Sequence, residues 1–252
     1  MPASALALVA SATVRAASLN LCTDEYLLML ARPGEVVSIS YLGAEPAESV
    51  LWRRAKGLHR NRGTLESALQ ARPNLIFTMG GGGGRATAAI AARLRLKVVD
   101  LPYPASLADV RRQGSIVAAA LGRPGRARPL LSSLATLERN RPIRSADAAY
   151  LGGGGNSTSP GSLGAEWLAL AGYRQRPLPN NRLTHELLAT NPPRWLIKAE
   201  YRSGQWSRGQ GWLAHPLVRR LENRMIWTDG RAWTCGGLPM IAEVQRLRRM
   251  PH

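Results

Sequence analysis

The sequence predicts an α/β fold of two lobes, each with a mostly parallel sheet flanked by helices. A unit in which a short, Glu-bearing helix leads through proline into an apolar strand occurs twice, at residues 64–79 and 183–198. Elsewhere, short apolar runs alternate with amphipathic segments, a pattern typical of β-α-β units with right-handed crossovers. Residues 106–139 carry no strand signal, and we expect this helical stretch to bridge the lobes.

Four apolar runs bounded by turn residues predict the strands of the first lobe, and the amphipathic segments between them predict its helices. The first helix ends at Arg32, Pro33 and Gly34, because proline and glycine stop helices. A glycine run at residues 80–84 separates the third strand from the third helix. Strands are expected at 17–21, 36–41, 74–79 and 97–101, and helices at 23–30, 65–70 and 86–94.

The bridge is expected to be helical except at residues 122–125, where Gly, Arg, Pro and Gly follow one another. The second lobe repeats the pattern of the first, with its own glycine run at residues 152–155. Its strands are expected at 148–151, 195–199 and 225–228, and its helices at 163–171, in the second Glu-bearing unit, at 212–221 and at 239–249. The chain thus divides into a signal segment at 1–16, a first lobe at 17–105, a bridging helix at 106–141 and a second lobe at 142–252.

The first sixteen residues have the features of an export signal peptide. Residues 3–12 form a short run of apolar and small side chains, and Val14 and Ala16 occupy the usual positions before a cleavage site. No Lys or Arg precedes the run, so a buried first helix or strand is the alternative. Because no stretch reaches the roughly 18 apolar residues of a spanning helix, we expect a protein that does not span the membrane.

The composition is that of a globular protein, with 45% hydrophobic and 20% charged residues. The net charge of +18 comes almost entirely from arginine and raises the possibility of a nucleic-acid-binding module. However, the arginines are scattered, with no basic helix, no interleaving of aromatic and basic residues and no zinc-finger spacing. We therefore interpret the arginine content as a coding bias and expect no nucleic-acid partner.

Several segments together carry a resemblance to a known family: residues 18–28, the turn at 61–66, the long mid-chain helix and residues 233–237. In this order they resemble the periplasmic substrate-binding proteins of ABC importers for iron-siderophores, haem and cobalamin. The resemblance covers roughly residues 17–249. It implies two α/β lobes joined by one long rigid helix, and a monomer without a cofactor. Such a protein captures an iron chelate, haem or corrinoid in the cleft between its lobes and delivers it to a permease.

The loops that follow the strands are the candidate ligand site, because ligands of α/β sheets lie beyond the carboxyl ends of the strands. These loops are rich in glycine, aromatic and sulfur-containing residues, and rigid aromatic faces suit large planar ligands. The glycine run at 80–84 lacks the Gly-Lys-Ser/Thr ending of a phosphate-binding loop. The candidate ligand-binding residues are Cys22, Asp24, Tyr41, Met79, Gly80, Gly81, Arg85, Tyr201, Arg202, Trp233 and Cys235.

The two cysteines, Cys22 and Cys235, are both expected to face the cleft. In an exported protein they could form a disulfide that ties the lobes together. Two independent thiols at the ligand site and a soft-metal contact are the alternatives. No histidine shows paired spacing with the cysteines, and we expect no metal site built by the protein alone.

Glu66 and Glu186 occupy the same place in the two repeated units. In the family that the chain resembles, one acidic residue on each lobe docks into arginine pockets of the permease dimer, and both residues match that position. An Arg–carboxylate pair can be bidentate, which suits docking in a defined orientation. The alternative is that both are ordinary carboxylates of a helix surface, each supporting its first turn.

Enzymatic activity is the competing class of function. The sequence has no Gly-x-Ser-x-Gly motif, no His-Glu-x-x-His motif and no paired carboxylates at the expected cleft. A hydrolase with a cleft cysteine is the alternative, but pairing Cys22 with His185 would require the lobes to meet. The sequence therefore favours a binding protein over an enzyme.

Overall fold

The computed structural model describes residues 13–82, 84–200 and 208–252. Its strands form two sheets in which all pairs are parallel, so the predicted two-lobed α/β fold is confirmed. The first sheet has the order β3-β2-β1-β4-β5 and the second has the order β7-β6-β8-β9. The strands are β1 Ala16–Ser18, β2 Val36–Ser40, β3 His59–Asn61, β4 Leu75–Met79, β5 Lys97–Leu101, β6 Ala146–Leu151, β7 Tyr173–Gln175, β8 Trp195–Glu200 and β9 Met225–Asp229.

Helices or 3₁₀ turns connect successive strands, as parallel pairing requires. In the described parts of the chain the α-helices are α1 Leu21–Leu30, α2 Leu65–Ala68, α3 Gly84–Arg93, α4 Leu107–Ala120, α5 Arg128–Arg139, α6 Leu163–Ala171, α7 His185–Thr190, α8 Arg208–Leu213, α9 Pro216–Arg219, α10 Gly230–Cys235 and α11 Met240–Leu247. Short 3₁₀ turns include Tyr41–Ala44, Pro124–Ala127 and Glu222–Arg224.

The repeated unit of the sequence is a repeat of structure. The order β2-β1-β4-β5 in the first sheet matches β7-β6-β8-β9 in the second, and α2 precedes β4 as α7 precedes β8. Both helices begin with a threonine cap: Thr64 accepts a hydrogen bond from the Ser67 N–H at 3.4 Å, and Thr184 accepts one from the Leu187 N–H at 3.2 Å. The two lobes are therefore built to the same plan.

The bridge between the lobes differs from the expected single helix over residues 106–141. It comprises α4, which begins at a capping box of Ser106 and Asp109, and α5, with the turn Pro124–Ala127 between them. The break arises because Gly122 adopts a left-handed conformation at φ +73° and Pro124 lacks the N–H that would continue α4. The interruption predicted at residues 122–125 is therefore present, and the bridge is a pair of helices where the family resemblance implied one rigid helix.

One hydrophobic core runs through both lobes. It contains Tyr26 of α1, Val117 of α4, Leu134 of α5, Trp167 of α6 and Val244 of α11, all buried. Two smaller apolar clusters lie apart from it, one in each lobe. The helices between the sheets therefore hold the lobes together through a shared core rather than through a flexible linker.

The first strand and helix show where local capping overrode the predicted boundaries. The strand predicted at 17–21 ends at Ser18, and α1 begins at Leu21 instead of residue 23. The cause is Asn20, whose side chain accepts a hydrogen bond from the Thr23 N–H at 3.0 Å and caps the helix. Cys22 consequently lies in the first turn of α1, directly beyond the carboxyl end of β1.

Candidate ligand-binding cleft

A cavity of about 570 Å³ lies between the lobes, within the range of roughly 300–1,000 Å³ typical of small-molecule sites. It is placed where the carboxyl ends of the two sheets face each other, as ligand sites of α/β sheets are. The first lobe contributes the start of α1 and the segment after β5, and the second contributes the loop after β6, α6 and the end of α10. The lining residues are Cys22, Tyr103, Pro104, Tyr150, Gly152, Gly153, Asn156, Ser157, Thr158, Leu163, Gly164, Trp167, Trp233, Thr234, Cys235 and Gly236.

A disulfide joins the two lobes in the wall of this cavity. Cys22 and Cys235, 213 residues apart in sequence, are bonded with an S–S distance of 2.13 Å and a Cα–Cα distance of 5.3 Å. Of the three possibilities that the sequence left open, the structure shows the disulfide, and both cysteines line the cavity as expected. The bond fixes the separation of α1 and α10 at the wall of the cleft.

Trp233 forms an aromatic wall together with Tyr150, their ring centroids 4.9 Å apart and tilted by 48°. The Trp233 Nε1–H donates to the Thr228 hydroxyl oxygen at 2.7 Å, and that hydroxyl donates to Glu243, which is paired with Arg246. This chain of hydrogen bonds fixes the rotamer of Trp233 and leaves its face toward the cavity. Trp233, a predicted ligand-binding residue, lines the cavity, and it lies in α10 and not in a loop.

A second tryptophan, Trp167, lines the cavity near Trp233 and contacts the end of α10. Its side chain is fully buried in α6, and its Nε1–H donates to the Gly236 carbonyl at 2.9 Å. Gly236 ends α10 in a left-handed conformation at φ +59°, and a side chain there would meet Leu163. Trp167 thereby holds the turn that follows Cys235.

Tyr103 forms the wall of the first lobe and is 70% exposed. Its ring lies against Gly80, where an added Cβ would come within 2.2 Å of a ring carbon. Gly80 and Gly81 were expected to contact ligand, but neither lines the cavity. Gly80 instead makes room for Tyr103, and the Gly81 N–H donates to the Asp100 carboxylate at 3.0 Å, which closes the turn after β4.

Asp24 was also expected to face ligand, and the structure places it in the core instead. It is fully buried and accepts hydrogen bonds from the Ser40 N–H at 3.0 Å and the Ser40 hydroxyl at 2.5 Å. Gly43 lies so close that an added Cβ would be 2.4 Å from an Asp24 carboxylate oxygen. Asp24 therefore ties α1 to the end of β2 and has no access to the cavity.

None of the remaining predicted site residues that the structure describes lines the cavity. Met79 is buried in the core at the end of β4, because every side chain of that strand is covered. Tyr41 is 55% exposed on the turn Tyr41–Ala44 and does not line the cavity. Tyr201 and Arg202 lie outside the described residues, as does the side chain of Arg85. Of the predicted aromatic wall residues, Trp233 lines the cavity and Tyr41 does not.

Three aromatic residues of the site were not predicted: Tyr103, Tyr150 and Trp167. Tyr103 could have been predicted from the sequence, because it follows the predicted strand at 97–101 by two residues and so lies in a loop beyond a strand end. Tyr150 lies within β6 and Trp167 within α6, where side-chain direction depends on packing that the sequence pattern does not specify.

Glu25 adds a second buried carboxyl beside Asp24. It is 1% exposed, and neither of its oxygens has a hydrogen-bond partner in the structure. Burial raises the pKa of Glu25 well above its usual value of 4.5, with a further contribution from the nearby Asp24 charge. Burial likewise raises the pKa of Asp24 from 3.8 to about 7, although hydrogen bonds from Ser18 and Ser40 oppose the change.

These two carboxyls should make the protein less stable as the pH rises. The folded state holds both protons more tightly than the unfolded state, so their contribution is fully present below the unfolded pKa values near 4 and is lost as the pH rises through the folded ones, which for Asp24 is about pH 7. We expect Asp24 alone to lower the free energy of unfolding by on the order of 3 kcal/mol between pH 5 and pH 8. We expect urea unfolding to show this decline, and the variant Glu25→Gln to be more stable than the wild type at pH 8. Equal stability of the two proteins at both pH values would contradict the assignment.

Two further properties concern the part of the chain that the structure describes. No helix there is both long and apolar enough to cross a membrane. Within the same residues, no group of three or more His, Cys, Asp and Glu side chains is arranged to hold a metal ion.

The structure of this chain is similar to solved structures of periplasmic binding proteins. No protein-family model and no curated protein sequence matches the chain. The periplasmic heme-binding protein RhuT from Roseiflexus sp. RS-1, in apo form, is 20% identical with a TM-score of 0.67, covering 94% of this chain and 97% of that one. The periplasmic heme-binding protein HutB of Vibrio cholerae is 15% identical with a TM-score of 0.70, covering 94% and 98%.

A third structure is the siderophore-binding protein BauB bound to a complex of two acinetobactin molecules and ferric iron. It is 14% identical to this chain with a TM-score of 0.67, covering 94% of this chain and 93% of BauB. At such identities the likeness establishes architecture, and it extends over nearly the whole of each chain. The chain therefore has the two-lobed α/β fold of these periplasmic ligand-binding proteins.

Proposed function

We propose that the chain is an exported solute-binding protein that captures a metal chelate in its interlobe cleft and delivers it to an ABC import permease. The observation that carries this proposal is the cavity between the carboxyl ends of two parallel sheets, walled by aromatic rings and spanned by a disulfide. Structures of the same fold carry names that describe binding of haem or of a ferric siderophore. The ligand class is an iron chelate, haem or a corrinoid.

The chemistry of the walls supports a bulky ligand with apolar faces. Tyr103 approaches from one lobe and the pair Tyr150 and Trp233 from the other, so a flat ligand can lie between aromatic surfaces. The glycines after β6 allow close approach to the backbone, and Asn156, Ser157 and Thr158 supply neutral hydrogen-bonding groups. Every lining residue that the structure describes is uncharged, so contact area and neutral hydrogen bonds dominate recognition there.

We further propose that Glu66 and Glu186 dock the protein onto the permease dimer. Both are exposed in the first turn of their helices, α2 and α7. The start of α2 lies beside the carboxyl end of β1, since the Asn61 side chain donates to the Ser18 carbonyl at 2.8 Å. The start of α7 lies beside the loop after β6, since the Leu183 N–H donates to the Gly155 carbonyl at 2.8 Å. The two carboxylates thus lie on the edge where the cleft opens, one on each lobe.

The proposed function requires that the protein is exported to the periplasm. The disulfide supports it, because such bonds persist in oxidising compartments and are rare in the cytosol. The signal segment expected at residues 1–16 would direct this export; its first twelve residues lie outside the described part of the chain, and its last residue, Ala16, begins β1. We propose that the exported protein acts as a monomeric carrier and not as an enzyme.

Titration of intrinsic tryptophan fluorescence tests the ligand assignment. Purified protein is titrated in parallel with haemin, with several ferric siderophores and with cobalamin, and the quenching of Trp233 reports occupation of the cleft. We expect one of the three classes to bind saturably at a ratio of one ligand per protein. Failure of all three classes would overturn the ligand assignment.

Replacing Trp233 with alanine should weaken binding of that ligand by more than tenfold, because truncation of a buried aromatic anchor costs about 2 kcal/mol or more. Calorimetric titration measures the loss directly, without relying on the fluorescence of the residue removed. The matched control is Trp227→Ala, which removes an exposed tryptophan on β9 that does not line the cavity. Unfolding of the Trp233→Ala variant, in place of weaker binding by a folded protein, would reassign the residue to the core.

A further inference from the structure

An arginine-rich surface on the second lobe has no part in the proposed function. Arg174 is the middle residue of β7, Arg194 directly precedes β8, and Arg224 directly precedes β9. Parallel strands begin at one edge of a sheet and end at the other. Arg194 and Arg224 therefore lie at the edge opposite the cleft, away from Glu66 and Glu186, and Arg174 lies on the neighbouring outer strand.

The surface contains two adjoining grooves, which we together call the back groove. The grooves have volumes of about 550 and 570 Å³ and share Asp147 and Arg176 in their walls. Arg194, Arg224 and Trp195 line one of them, and Arg141 and Arg174 line the other. The two shared residues make the grooves adjoin, so arginines of both line one surface.

The charge of the back groove is not balanced by its own acids. Asp147 is paired with Arg176, and Glu166 accepts a hydrogen bond from the Leu107 N–H at 2.7 Å. Arg194 donates to a main-chain oxygen of His252 at 2.9 Å, which fixes its position. Arg174 and Arg224 are exposed and make no side-chain hydrogen bond or ion pair with any residue that the structure describes. The groove thus offers free guanidinium groups to an acidic partner.

Apolar side chains lie between these charges. Pro160, Pro177 and Pro192 line the grooves, and Trp195 forms part of one wall. Ile143 is entirely exposed in the loop that carries Arg141. Arginine, tryptophan and an exposed aliphatic side chain together are typical of protein interfaces. A phosphate polymer or a lipid headgroup would use the positive charge but would leave the apolar walls uncovered.

We propose that the back groove binds an acidic segment of a partner protein, one that interleaves carboxylates with apolar side chains. The guanidinium groups take the carboxylates in bidentate pairs, and the proline and tryptophan walls cover the apolar side chains. Because Arg194 and Arg224 lie at the strand edge opposite the cleft, a partner bound to them leaves Glu66 and Glu186 uncovered. This interaction is independent of which ligand the cleft takes.

The test uses fluorescence anisotropy of a labelled short peptide that alternates Glu with Leu and Ser, measured against the full chain at about 0.15 M salt, where long-range attraction is screened. The double variant Arg174→Glu and Arg224→Glu should bind the peptide at least tenfold more weakly than the wild type. The matched control is Arg60→Glu with Arg93→Glu, which changes the net charge equally at exposed positions of the first lobe. This control should stay within about twofold of the wild type.

Several outcomes would overturn the proposal. One is the absence of saturable peptide binding by the wild type, and another is an equal loss of binding in both double variants. A peptide of Glu and Ser without Leu that binds equally well would show that the apolar walls take no part. Tighter binding of a single-stranded oligonucleotide or of phosphatidylglycerol vesicles through Arg174 and Arg224 would assign the surface to another class of partner. Melting temperatures of all variants establish that each is folded.

Discussion

Replacing Cys22 and Cys235 together with serine should lower the free energy of unfolding by about 2–5 kcal/mol. The bond closes a loop of 213 residues, so its loss releases a large conformational freedom in the unfolded chain. Urea unfolding of oxidised wild type and of the double variant measures the difference. Ligand affinity should also fall, because the disulfide holds α1 and α10 at the wall of the cleft.

Reduction of the wild type provides the matched control for this prediction. Treatment with a thiol reductant should move the unfolding midpoint of the wild type toward that of the double variant and leave the variant unchanged. A double variant as stable as the oxidised wild type would show that the shared core of the two lobes alone sets the stability. In that case the disulfide would have no part in holding the cleft.

Reversal of both docking charges, Glu66→Lys with Glu186→Lys, should abolish uptake of ligand by cells while ligand affinity in solution stays within about twofold. Neither residue lines the cavity, so the binding site itself is unchanged. If each carboxylate meets a permease arginine, reversal replaces attraction with like-charge repulsion and costs several kcal/mol per contact. Each single variant should be partly impaired, because one lobe still docks.

The control for docking is the double variant Glu138→Lys with Glu222→Lys. It changes the net charge by the same amount at the opposite edge, since Glu138 lies in the last turn of α5 and Glu222 begins the short turn Glu222–Arg224 that leads into β9. Uptake by this control should remain close to that of the wild type. Normal uptake by the Glu66 and Glu186 variant would remove the docking hypothesis, and an equal loss of its ligand binding would show that the cleft is misplaced.

The lobes and seven of the nine described strands were predictable because hydrophobic periodicity and the repeated helix–proline–strand unit are local signals. The edge strands β3 and β7 were not predicted, because three residues are too few to show a periodicity. The two carboxylates Glu66 and Glu186 occupy equivalent positions for the same reason. The disulfide could be named only as one of three possibilities, because pairing across 213 residues depends on how the lobes pack. The helical bridge and its interruption at Gly122 and Pro124 were both predictable, because glycine and proline stop helices.

The errors in the site have a common physical cause. Asp24 follows Cys22 by two residues, and on a helix such neighbours point in different directions, so one lines the cavity and the other enters the core. Gly80 was assigned to ligand although its role is to make room for Tyr103. A sequence pattern identifies the loops of a site, but which side chains face the cavity is decided by packing.

The central claim is that a metal chelate lies in the cavity between the lobes, and a crystal structure of the complex tests it most directly. Anomalous scattering locates iron or cobalt without reference to the surrounding chain. We expect a single peak in the cavity, between Tyr103 on one side and Tyr150 and Trp233 on the other. A peak outside the cavity, or a complex in which the chelate lies on the face opposite the cleft, would contradict the account.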